Sequence, residues 1–175
     1  MSGARSSEAV ILIEDFETRG VDSDHQDLRL WLRMMTIHKL IINEARRRLR
    51  VEFGMSLSRF DLMSQLDGKD NGIRMGELSS RLMVTTGNIT GLTNELVADG
   101  LVERTVDPTS GRAFLVCLTA KGRRQFKAAA KANEAWMAEF FSGFSQKEKK
   151  LLFEMLGSQK AFLANRIGKG SKRKS

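Results

Sequence analysis

Between residues 75 and 119 the spacing of apolar side chains changes from helical to alternating, and that switch leaves few folds open. Met75, Leu78 and Leu82 stand three and four apart, on one helical face. Met83-Val84 makes a turn, and Thr85 is suited to cap a second helix, because its hydroxyl can accept a bond from a backbone N–H one turn on. Ile89, Leu92 and Leu96 form that helix's inward stripe. At about 100° per residue, the opposite face holds Gly87, Thr90, Gly91 and Asn94, with Thr86 at the leading end. Together with Thr85 and Asn88 these are the candidate contact residues. The face is small and polar and carries no charge. Two readings stand: an ordinary solvated surface, or a face pushed into a DNA major groove, where Asn and Thr bond base edges and glycine lets the backbone approach.

Asp99-Gly100 ends the second helix, with Gly100 placed as the left-handed residue such ends prefer. Residues 101–106 and 113–118 are rich in β-branched and apolar side chains and flank Asp107-Pro108-Thr109-Ser110-Gly111-Arg112, which has turn chemistry. The result is two short helices followed by a hairpin, a winged helix-turn-helix. The runs Asp99-Gly100-Leu101-Val102-Glu103-Arg104, Asp107-Pro108-Thr109-Ser110-Gly111-Arg112-Ala113 and Leu118-Thr119-Ala120-Lys121-Gly122 resemble the multiple-antibiotic-resistance regulator (MarR) family over about residues 28–167. The resemblance implies that Arg112, at the wing, reaches a DNA minor groove and that Asp107 helps hold the wing loop. The chain departs from the family in one respect: Gly111 precedes Arg112, where members often have two adjacent basic residues. A solvated Asp107–Arg112 hairpin salt bridge is the plainer alternative.

The 175 residues, 41% hydrophobic and 29% charged, suffice for one good core. The net charge of +8 and pI of about 10.0 favour polyanions. Residues 1–24 hold Glu8, Glu14, Asp15, Glu17, Asp22 and Asp24 against Arg5 and Arg19, so the basic excess lies downstream. A single cysteine allows no internal disulfide, and two histidines make no metal-ligand cluster. No apolar run approaches membrane-spanning length, no signal-peptide pattern is present, and a cytoplasmic protein is expected.

Five segments follow. Residues 1–22 are an N-terminal arm, partly disordered, whose apolar stretch from Ala9 to Phe16 packs either across a partner subunit or back on its own. Residues 23–56 carry a long helix opened by a Ser23-Asp24-His25-Gln26 capping box. Its apolar residues, Leu28, Trp31/Leu32, Met35, Ile42, Ala45 and Leu49 on one stripe and Leu30, Met34, Ile37 and Ile41 on another, cover most of its circumference, more than one chain can bury. That argues for a homodimer. Arg46, Arg47, Arg48 and Arg50 crowd its last turns. Residues 57–119 form the DNA-binding lobe, starting with a helix capped by Ser58 and carrying Phe60, Leu62, Met63 and Leu66; Ile73 adds a short third strand. Residues 120–167 supply two more dimerisation helices, the first capped by Thr119 and closed by Gly143, the second opened by a Ser145-Gln146-Lys147-Glu148 box. Residues 168–175 are a basic, flexible tail.

Nothing makes a credible catalytic set, phosphate loop or zinc site, and no cofactor or enzymatic activity is expected. Cys117, mid-strand, reads as a small buried hydrophobe. The family resemblance implies a ligand crevice between the dimer helices and the DNA-reading lobe. Trp31, Met34, Met35 and His38, with Met63, are its candidate wall, and His38 or Arg33 the partner of a carboxylate or phenolate. The bland alternative makes the same residues core and structural. The expected protein is mostly α with a small β-hairpin wing and a helical dimerisation layer. Its expected function is to bind a pseudo-palindromic operator in double-stranded DNA, as a repressor released by a small aromatic acid or acyl-CoA ester. A ligand-independent architectural DNA binder is the alternative.

Overall fold

The structure, a computed structural model, describes residues 25–110 and 113–171. It divides into two compact units, residues 1–133 and 134–175. The expected N-terminal arm lies outside the described residues.

In the first unit, α1 (Gln26–Phe53) begins at His25, whose side chain makes no capping bond; the predicted capping box rests on Ser23, which lies outside the described residues. It ends at Gly54, left-handed at φ 59°, where the N–H groups of Gly54 and Met55 close on the Arg50 and Leu49 carbonyls. Part of the arginine cluster is spent locally: Glu44 accepts from Arg47 at 2.7 Å and Arg48 at 2.8 Å, and these bonds hold its carboxyl at about 2. α2 (Leu57–Leu66) is capped two residues earlier than predicted. Ser56, in extended backbone, accepts from the Arg59 N–H at 3.3 Å, whereas Ser58 is already inside the helix.

β1 (Ile73–Arg74) leads into α3 (Met75–Leu82), and α4 (Thr86–Ala98) follows across the turn. β2 (Val102–Val106) and β3 (Phe114–Leu118) form the hairpin, and β1 pairs antiparallel with β3 in the order β1-β3-β2, with Ile73 opposite Val116. The expected third strand is present. Leu62, Met63, Leu66, Leu78, Ile89, Leu96, Val102, Val116 and Phe126 build one core between these helices and the sheet. Cys117 is buried within β3, where burial first and the Glu103 carboxylate second push its thiol up; its Sγ donates to Glu103 Oε1 at 3.6 Å.

Thr119 joins the hairpin to α5 (Ala120–Phe140): its Oγ1 accepts from the Gly122 N–H at 3.0 Å and donates to the Gly100 carbonyl at 2.8 Å. Gly122 lies so close to β2's approach that a Cβ there would stand 1.9 Å from the Leu101 oxygen. The trailing Leu-Thr-x-x-Gly pattern thus records a close contact between helix and backbone.

In the second unit, Trp136 is buried, and α5 stops at Phe140, not at Gly143. Gly143 sits inside the following turn, where the Phe141 and Phe144 rings lie 6.5 Å apart. α6 (Gln146–Ser171) opens with the predicted reciprocal box: Glu148 N–H to Ser145 Oγ at 3.3 Å, Ser145 N–H to Glu148 Oε2 at 2.7 Å. It runs through residues 168–171, expected to be flexible tail. Leu151, Met155, Phe162 and Ile167 are all exposed along it.

Candidate nucleic-acid interface

Local backbone hydrogen bonds close the turn between α3 and α4. Met83, with φ 54°, is a left-handed non-glycine residue between them, and its N–H and that of Val84 close on the Ser80 and Ser79 carbonyls. Thr85 caps α4 as expected, accepting from the Asn88 N–H at 3.4 Å. Ile89 and Leu96 are fully buried, and Thr93, which apolar spacing overlooks, is buried with them. Its hydroxyl donates to the Ile89 carbonyl at 2.7 Å, which satisfies it within the helix.

That inner stripe turns Gly87, Asn88, Thr90, Gly91 and Asn94 outward, and all five are exposed. Thr86 opens the helix, and its side chain lies outside what is described. Asn94 has a partner that periodicity does not reveal, accepting at Oδ1 from Arg104 Nη2 of β2 at 2.6 Å.

The wing is organised by Asp107. Only 3% exposed, it accepts at Oδ1 from the Thr109 hydroxyl at 2.6 Å and the Thr109 N–H at 2.8 Å, and at Oδ2 from Arg74 Nε at 2.6 Å. Arg74 also donates to Thr109 Oγ1 at 2.9 Å. The Thr109 bonds first, then Arg74, hold the Asp107 carboxyl at about 2. Buried and fully engaged, Asp107 fixes the loop and does not itself present a contact surface. Its cation is Arg74, from β1, which the sequence reading did not single out. Gly111 and Arg112 lie outside the described residues.

The residues of the suggested ligand wall lie on α1 and α2. Met63 is wholly buried in the core beside Leu62 and Leu66, because it occupies the inward face of α2. Trp31, Arg33, Met34, Met35 and His38 are exposed on α1. A crevice of about 420 Å³ does lie beside α4, but Ser58, Asp61, Leu82, Val84, Leu92 and Glu95 are among its lining and none of the predicted wall is.

An exposed, uncharged helix face on a helix-turn-helix, with a braced hairpin alongside, defines a winged helix-turn-helix of the DNA-binding class. Comparison with known proteins narrows this. Residues 53–113 match the model of the MarR family. The MarR family transcriptional regulator from Silicibacter pomeroyi is 33% identical, with 84% of this chain and 99% of that one covered at a TM-score of 0.65. The HTH-type transcriptional repressor YetL of Bacillus subtilis is 28% identical over 77% of this chain and 80% of its own length. CouR from Rhodococcus jostii RHA1, solved bound to p-coumaroyl-CoA, shares the fold at a TM-score of 0.64 and 22% identity, with 74% and 90% covered. The chain belongs to the MarR family of transcriptional regulators.

Proposed function

We propose that this regulator binds a pseudo-palindromic operator as a homodimer, placing the outward face of α4 from each subunit in successive major grooves roughly 34 Å apart. The observation that carries this is the α4 face itself: Gly87, Thr90, Gly91 and Asn94 are exposed and uncharged, beside a wing braced by Asp107. Arg112 reaches the flanking minor groove. The exposed apolar residues of α1, Leu28, Trp31 and Ile37 among them, and those of α6 support the homodimer, because faces of this kind need a partner. The outcome is repression, by promoter occlusion, a reading that the likeness to a named repressor supports.

A small aromatic acid or its acyl-CoA ester relieves repression by binding the arrangement that does not fit DNA better than the one that does. The acyl-CoA held by CouR supports that ligand class, and Trp31, Met34, Met35, His38 and Arg33 remain its candidate contacts on α1. Titration of the chain onto the DNA upstream of its own gene, with random DNA as competitor, tests the reading. Retention of the upstream fragment against excess competitor is expected. Equal loss of both fragments would instead favour an architectural DNA binder. Addition of p-coumarate and p-coumaroyl-CoA to the same titration tests the effector class, release being the expected result.

A further inference from the structure

Side chains alternate along β2, so Val102 and Arg104 share a side of the strand. Val102 is buried in the core that α4 covers, and Arg104, two residues on, emerges exposed at the flank of that helix. There its guanidinium donates to Asn94 at 2.6 Å. A guanidinium has donors only, so the Asn94 atom it meets is the carbonyl oxygen, and the amide's orientation follows from chemistry. The oxygen is turned toward the strand, and the NH₂ end is turned away from it.

We propose that Arg104 sets base specificity: by holding the Asn94 oxygen, it presents Asn94 to DNA as a hydrogen-bond donor. A donor suits the acceptors of a base edge, guanine N7 and O6 or thymine O4. Adenine offers a donor beside an acceptor, and matching it takes both ends of the amide. Reaching that arrangement means breaking or sharing a charge-assisted bond, so adenine is disfavoured under Asn94. The same bond fixes the amide before docking, which reduces the side-chain entropy lost on binding. Arg104 is a positioning residue in this scheme, acting through Asn94. The inference rests on the reading that α4 enters the major groove.

Selection from a randomised DNA library with the full chain, followed by sequencing, tests it. Wild type is expected to prefer guanine or thymine at the position that Asn94→Ala makes indifferent. Arg104→Ala shifts that same position toward adenine by about tenfold, within the worth of one bidentate base contact. Arg104→Lys, which keeps a donor, retains most of the wild-type preference; this rescue also stands in for the alanine variant should its melting temperature fall. The proposal is overturned if Arg104→Ala weakens binding equally for every base and lowers the salt slope by about one, the mark of a plain phosphate contact. It is also overturned if the two substitutions alter different positions. Should Asn94→Ala change no position at all, the placement of α4 in the groove fails with it, and that result distinguishes the two failures.

Discussion

Met83 and Gly122 show how single backbone positions hold the DNA-binding lobe together. Met83 adopts φ 54° while 93% exposed, so its side chain contributes almost no packing to offset a conformation that costs an L-residue about 1–2 kcal/mol. Met83→Gly is therefore expected to stabilise the lobe by about 0.5–1 kcal/mol, less than the full strain because glycine loses more entropy on folding. Urea unfolding measures it, and a loss of stability would mean that the turn depends on the methionine. Gly122 is the opposite case: a Cβ 1.9 Å from the Leu101 oxygen forces α5 away from β2. Gly122→Ala should cost roughly 1–3 kcal/mol or more, seen in the same experiment. Asp107 adds a pH dependence. Its carboxyl lies at about 2 against an ordinary 3.8, so the fold favours the ionised form. Its contribution is complete above about pH 4 and is lost as pH falls toward 2. Protection of the Thr109 amide from hydrogen exchange should fall across that window, and Asp107→Asn should remove the dependence.

Most features whose order is local were legible in the sequence, and side-chain pairs between distant residues were not. Thr85, Gly100, Thr119 and the Ser145 box act within one turn of themselves, so their side-chain chemistry alone announces them. Ser56 and Ser58 have the same capping chemistry two residues apart, and the extended backbone of Ser56 is what makes it the cap. The outward face of α4 was readable from a period of 3.6. Arg74 and Arg104 escaped because their partners, Asp107 and Asn94, belong to other elements, although alternation turns Arg74 to the side opposite buried Ile73 and puts Arg104 on the same side as Val102. The burial of Met63 was not legible either, because a methionine on a buried face and one on a ligand wall share a composition. At this scale Thr85→Ala is informative: loss of the cap should cost about 1 kcal/mol and loosen the first turn of α4, which carries Thr86, Gly87 and Asn88. Amide exchange at Asn88 should quicken, and DNA affinity should fall with it.

For the whole molecule, the apolar surface of α6 is the strongest demand for a partner. Phe153 is 80% exposed and Ile167 70%, and Leu151, Met155 and Phe162 lie along one stripe, four and then seven residues apart. The proposed homodimer covers such a stripe, and a carboxylate placed in it would have to be desolvated without a counter-charge. Met155→Glu is expected to leave helicity intact by circular dichroism, since Glu is a good helix former and the residue is exposed within one chain. Sedimentation should then show a monomer where the wild type sediments as a dimer. A monomer engages one half-site, and without the effective concentration that links the second it should lose at least about a hundredfold in operator affinity. Its salt slope should fall to about half, because half the phosphates are contacted. A variant that stays dimeric, or a monomer that binds the operator undiminished, would remove the dimer from the mechanism and leave a single lobe as the unit that reads DNA.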